Sequence, residues 1–360
     1  MSDKPISDEE DLDVNPLLAD VDITTLRDSG RKLRNNILKF ERKTAALKDS
    51  TLTRRVKRLL DAAENISIQA PDFKAAGTGR DFITYGHSIF CQTSLPYKDP
   101  GETREWERTN GSAKLKIIAG EALDPATNKW NKVGLPYGPK ARLVMIYLTG
   151  EAVRTNNPEI EVGGSLTSFI KHILRTDPNG REIRAVRDQL KALSAASIRI
   201  GWLDGDRSIN IQSQIVTGFD LWWPKDEAQK VFWPSTVKLS ADFCNSLKDH
   251  AVALDDRAVS ALAHSALALD IYTWMAQRLY RITDKRGAFI GWDSLQSQFG
   301  GTYKRIRDFR VDFLHALKQV RAAYPQAKIA DVDDAKGNPA GLQLMYSPPP
   351  VTRKRVPAII

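Results

Sequence analysis

Two cysteines in 360 residues, Cys91 and Cys244, stand far apart in apolar contexts. No paired Cys or His spacing accompanies them. That excludes a zinc finger, a dithiol redox motif and a disulfide framework, and it fits a reducing cytoplasm. Long apolar runs are missing as well: none approaches the roughly 20 residues that a bilayer span needs. The longest helical candidate, Ala251 to Leu279, is interrupted by Asp255, Asp256, Arg257, His264 and Asp270. The first residues are acidic and polar, so they read as neither a signal nor a transit peptide. Histidine is sparse, with His87, His172, His250, His264 and His315 scattered along the chain. No His-x-His pair lies beside a nucleophilic tyrosine, and the expectation is a protein without catalysis, metal or cofactor. His264, set among Ala and Leu, reads as a packed helix residue. Gly77-Thr-Gly79 lacks the Gly-Lys-Ser/Thr of a phosphate loop and reads as a linker.

What is abundant is positive charge. The net charge is +9 and the pI about 9.4. Residues 1–22 carry eight acids (Asp3, Asp8, Glu9, Glu10, Asp11, Asp13, Asp20, Asp22) against Lys4, a local charge of −7, which leaves +16 on the remainder. A body that basic attracts polyanions, nucleic acid above all. Residues 1–30 read as a disordered acidic leader. Over residues 31–70, basic side chains such as Arg31, Lys39, Arg42 and Arg54 interleave with Leu33, Ile37, Phe40 and Leu47 at three- and four-residue steps. This predicts a basic amphipathic helical segment, able to touch DNA or to cover part of the core. Residues 71–134 read as strand-rich, with β-prone runs at Phe82–Phe90 and Lys114–Ile118, packed on the element that follows.

From residue 135 one local pattern occurs twice: a long apolar helix, a short helix, a helix bearing Arg and Lys, then a β-hairpin. In the first copy, residues 135–235, Pro139 opens a helix with Ala141, Val144, Met145 and Leu148 as its buried stripe, and Asn156-Asn-Pro158 stops it. Ser165 is a candidate cap for a short second helix. Arg181 to Ala196 then places Ile183, Val186, Leu190 and Leu193 on one face, with Arg181, Arg184, Arg187 and Lys191 offset from it. Such a row can meet phosphate oxygens or guanine edges, with Gln189 and Asp188 as added base contacts or internal pairs. Two alternating runs around Asp204-Gly-Asp-Arg207 predict a hairpin carrying Arg199 and Arg207.

The second copy, residues 236–347, repeats this. Ala241 to His250 reads as a short helix. A helix from Ala258 to Arg281 starts behind Asp255-Asp256, where anions are favoured. A short one covers Asp293 to Phe299, and a third runs from Tyr303 to Ala323. Its apolar face is Ile306, Phe309, Phe313, Leu317 and Val320, and its first half holds Lys304, Arg305, Arg307 and Arg310. Base edges are reached by that end of a recognition helix. A hairpin through Lys336-Gly-Asn338 follows. Asp331, Asp333 and Asp334 read as a solvated turn. Trp222, Trp223 and Trp233 between the copies read as interdomain packing, with base stacking as the alternative. Residues 348–360 form a basic, Pro-rich tail. The fold expected is α+β: two tandem winged-helix domains with an N-terminal helical and strand extension.

At Leu135-Pro-Tyr-Gly-Pro-Lys-Ala-Arg-Leu143, with Gly163-Gly-Ser165 and the Arg-rich helix up to Trp202, the chain resembles plasmid replication initiators of the RepA type, over roughly residues 80–320. The resemblance implies a cytoplasmic protein that binds origin repeats (iterons) in double-stranded DNA, helps open the duplex, and recruits the host replication initiator and replicative helicase. It also implies possible homodimers and repression of its own gene. A winged-helix transcriptional repressor and a metal-dependent DNA-nicking enzyme are the alternatives to be separated.

Overall fold

The computed structural model describes residues 82–124, 128–161, 170, 173, 178–204, 207–213, 215–220, 236–301 and 303–351, with backbone only at 124, 202–204, 207–213 and 219–220. The readings of the acidic leader, the basic segment 31–70, Ser165, the three tryptophans and most of the tail lie outside these residues. The described part is a mixed α+β fold of small antiparallel sheets and helices.

The first strand, β1 (Ile83–His87), runs directly into a short helix, α1 (Ser88–Gln92). The sequence reading made Phe82–Phe90 one β-prone run. The chain turns instead because the His87 ring caps the helix, Nδ1 accepting from the Ile89 N–H at 3.2 Å. That turn buries Ile89 and Cys91. β1 pairs antiparallel with β11 (Ala251–Asp255), from the far half of the chain, Thr84 lying opposite Leu254. Ala251–Asp255, part of the longest helical candidate, is thus a strand.

β2 (Glu105–Asn110), β3 (Ala113–Ile118), β7 (Ser197–Asp204) and β8 (Arg207–Ser213) form a four-stranded sheet in that order. The hairpin expected after the Arg-rich helix is there, Asp204 lying opposite Arg207, but it is widened by two strands from the segment before residue 134. Period-two alternation explains which face is inside: Ala113, Leu115, Ile117, Ile198 and Ile200 are buried, while Lys114 and Arg199 point outward. A small hairpin, β4 (Glu121–Asp124) and β5 (Lys129–Lys132), leaves this sheet beyond Ile118.

α2 (Gly138–Thr155) carries Pro139 in its first turn and ends at Asn156 in the left-handed conformation. β6 (Glu159–Glu161) joins β10 (Thr236–Leu239) and β9 (Val216–Asp220) in a sheet ordered β6-β10-β9. Residues 236–239, assigned by sequence to the second copy, therefore pair with strands of the first. α3 (Gly180–Ala195) buries Val186, Leu190 and Leu193 completely.

After α4 (Ala241–His250), the helix expected from Ala258 to Arg281 is two helices: α5 (Asp256–Ala261) and α6 (Ala266–Arg278). Each has its own cap. Asp255 accepts from the Arg257 N–H at 2.9 Å, and the Ser265 hydroxyl accepts from the Ala268 N–H at 3.2 Å. His264 lies in the break, hydrogen-bonded to Gln319 at 3.0 Å, and is not a helix residue. β12 (Ala288–Gly291), α7 (Trp292–Phe299), α8 (Ile306–Ala323), β13 (Ile329–Asp333) and β14 (Pro339–Leu344) follow, with sheet order β12-β14-β13. Trp292, Phe299, Phe309 and Phe313 pack edge-on or tilted between α7 and α8, with centroids 5.5 to 6.5 Å apart.

Candidate nucleic-acid interface

α3 starts on a capping box. The Asn179 side chain accepts from the N–H groups of Arg181 and Glu182 at 3.0 and 3.1 Å, and Glu182 reaches back to the Asn179 N–H at 3.3 Å. This fixes the helix start, and with it the phase of the cationic row. Arg181 and Arg184 are exposed; Arg187 and Lys191 are half-buried, with Arg187 Nε 3.7 Å from Asp188. Gln189 does not point outward with them. It is 5% exposed, and its Oε1 accepts from the Tyr137 N–H at 2.8 Å. Of the two roles offered by its sequence, base contact and internal pairing, Gln189 takes the second: position 189 falls on the side packed against the start of α2. Lys140 on α2 pairs with Glu182 at 3.4 Å, a second tie between the two helices.

Arg199 lies on the outward face of the four-stranded sheet, in one cross-strand row with Lys116 and Glu107. Lys116 pairs with Glu105 at 2.7 Å. Arg207 begins β8, opposite Asp204; its side chain lies outside the described residues.

The second group sits differently from expectation. Gly300 caps α7, and the Tyr303 N–H donates to Gly300 O in a turn, so α8 begins only at Ile306. Lys304 and Arg305 precede the helix, and Arg305 occupies its capping position. Ile306, assigned to the apolar face, is 38% exposed for the same reason. Arg307 is exposed and Arg310 half-buried. Arg305 pairs with Asp308 at 2.8 Å, a surface contact worth about 0–1 kcal/mol. The turn of the following hairpin is acidic: Asp334 accepts from the N–H groups of Lys336 and Asn338, both at 2.8 Å, with Asp333 beside it. Among the described residues no cluster of His, Cys, Asp and Glu could hold a metal ion.

Sequence reasoning missed Arg108, Lys114 and Lys116. Arg108 stacks on Trp106, with its guanidinium carbon 3.8 Å from the ring centroid. Its tip covers Gly301 so closely that a Cβ there would lie 1.8 Å from Nη2. The sheet that carries Arg199 thus abuts the turn leading into Lys304 through Arg108 of β2, which lies opposite Leu115 on the face away from Arg199. Alternating lysines in Lys114-Leu-Lys were the available signal; what they adjoin was not visible from spacing.

Residues 135–294 match the family model for plasmid encoded RepA protein. Over that stretch the chain is similar to plasmid encoded RepA proteins. The matched region spans α2 to the first residues of α7, and so includes α3 and the hairpin β7–β8. Among solved structures, a selenomethionine form of domain 2 and domain 3 of RctB matches with a TM-score of 0.45 at 9% identity, covering 71% of this chain and 96% of that one. A second structure of RctB domains 2–3 gives 0.42 at 10% identity, covering 72% and 96%. No curated protein matches the chain. Among the described residues no helix is long and apolar enough to cross a membrane.

Proposed function

We propose that the protein is a plasmid replication initiator that binds repeated sites in double-stranded origin DNA through two winged-helix units, without catalysis of its own. The observation that carries the reading is a recurring one. A helix presents Arg and Lys to solvent at or before its first turns, and an antiparallel hairpin follows it at once. α3 with β7–β8 is one instance and α8 with β13–β14 the other. The second has the full order helix, strand, helix, helix, strand, strand, with sheet order β12-β14-β13. The match of residues 135–294 to the plasmid encoded RepA family model supports the plasmid replication role. Arg181, Arg184, Arg187, Lys191, Arg199 and Arg207 serve the first unit, and Lys304, Arg305, Arg307 and Arg310 the second. Some of these read base edges and the rest position the protein on phosphates. Opening of the duplex and recruitment of a host initiator and helicase belong to the same reading. So do homodimers.

Footprinting on the repeats of the cognate origin tests this. Two engaged units protect about two helical turns, roughly 20 base pairs. Protection of one turn only removes the tandem arrangement, and no protection removes the reading. Nicking of supercoiled plasmid in magnesium would show that the protein is an enzyme after all.

A further inference from the structure

The sheet β12-β14-β13 has two unlike ends. Gly291 opposite Gly341 and Asp333 opposite Pro339 mark one end, next to the acidic turn at Asp334. Ala288 and Ile329, both opposite Leu344, mark the other. Three hydrogen bonds gather separate segments at that second end. The Ser347 N–H donates to Leu279 O at 3.4 Å, the Met345 N–H donates to Lys328 O at 3.0 Å, and the Gln343 amide donates to Arg286 O. Gly287, at φ +78°, holds the loop against Leu344 O, where a Cβ would come within 2.3 Å.

The side chains brought to this end are of two kinds. Arg281, Lys285, Arg286 and Lys328 are exposed cations, opposed among neighbouring described residues by Asp284, which pairs with Arg286 at 3.3 Å. Tyr280 and Tyr346 are exposed aromatics there, at 39% and 54%, and Phe289, 53% exposed, stands on the adjoining edge strand β12 with its ring toward Gly291. Arg281 lies over the Tyr280 ring, 5.5 Å from its centroid, and donates to its hydroxyl at 3.1 Å. We infer that this end of the sheet is a binding site for single-stranded nucleic acid.

Cations alone suit any polyanion. Exposed rings among them select an anion that also has flat apolar faces to stack, and a single strand offers such faces while a duplex hides them. The inference does not rest on α3 or α8 meeting DNA. The site lies at the opposite end of the sheet from the hairpin turn.

The test uses the full chain and fluorescent oligo-dT and oligo-rU of about 20 nucleotides, longer than the roughly 4–16 covered by one such module. The combined Tyr280→Ala, Phe289→Ala and Tyr346→Ala variant should lose affinity for at least one of them by about five-fold or more per stacking ring. Its affinity for duplex of the same length should change less than about two-fold. The single variant Arg286→Glu, at a side chain 90% exposed, should weaken oligonucleotide binding without unfolding the protein. It serves if the triple variant does not fold. The dT and rU arms report which sugar the site takes, and ring-dependent binding of either supports the proposal. Unchanged oligonucleotide affinity in a folded triple variant overturns it. So does binding of a Glu-rich peptide, but of neither oligonucleotide, to the wild-type protein.

Discussion

Arg142 on α2 and Asp270 on α6, 128 residues apart, form a bidentate ion pair with N–O distances of 2.6 and 2.8 Å. Both are buried, at 5% and 6% exposure. The remaining guanidinium protons go to the carbonyls of Leu95, Pro96 and Gly138, so all five N–H donors of the charge are satisfied. Burial opposes the Arg142 charge, yet Asp270 more than offsets it and holds the guanidinium above its ordinary value. A cavity of about 40 Å³, room for water, lies beside the pair, lined in part by Cys91, Thr149 and Thr273. The long helices of the two repeated patterns are thus locked together by charge.

Breaking this pair from one side leaves a buried charge without its partner. Arg142→Met is expected to cost about 3–5 kcal/mol. Arg142→Met combined with Asp270→Leu should recover most of that loss, since both charges leave together. Urea midpoints of the three proteins check it, and equal stability of the single and double variants would contradict the account.

His87 makes stability depend on pH. Its Nδ1 accepts from Ile89, and its Nε2 lies 3.1 Å from the Ser246 hydroxyl, which itself donates to Phe243 O at 2.7 Å. The network therefore needs a neutral ring. Burial, then repulsion from His250, lowers its pKa from 6.5 to about 3. The unfolded chain binds this proton more readily, so the stabilisation is complete above about pH 6.5. It is lost progressively as pH falls toward 3. His87→Asn keeps an acceptor for the Ile89 N–H but cannot titrate. The stability difference between wild type and this variant should shift in the variant's favour from pH 7 to pH 4.5, and a constant difference would rule the mechanism out.

Gln189→Ala separates a structural side chain from its cationic neighbours. Removing the amide leaves the Tyr137 N–H without its acceptor, at a cost of about 1–3 kcal/mol. Thermal denaturation should show that loss while the preferred DNA sequence stays the same. A changed preference would return Gln189 to the interface.

Arg184→Ala and Arg307→Ala test one helix each. A side chain that reads a base is worth about 1–3 kcal/mol of specific affinity. A phosphate contact instead lowers binding to all sequences and flattens the salt dependence by roughly one unit. Titrations at several salt concentrations distinguish these, and two variants that bind like wild type would remove both helices from the interface.

Much of the local structure was readable because it is set by neighbours in sequence. Val186, Leu190 and Leu193 repeat at helical spacing and are buried as that spacing requires. Pro139, Asn156 and Asp255 mark helix ends that the structure reproduces. The failures lie where a distant partner decides. Gln189 sits among polar residues, and only the chain entering α2 beside it turns its amide inward. Ile306 fits an apolar period, but the helix begins there and leaves its first turn uncovered. Ala251–Asp255 could continue a helix, and β1 offers it a ladder instead.

Composition and periodicity alone determined that this is a basic α+β chain with two Arg- and Lys-bearing helices, each followed by a hairpin. These properties need only backbone geometry and the burial of one face. Only the tertiary structure decided that β2 and β3 extend the first hairpin, that β10 closes a sheet with β6, and that Arg142 finds Asp270. A sheet ladder or a buried ion pair forms between groups far apart in sequence, and its free energy depends on a proximity that no local pattern encodes.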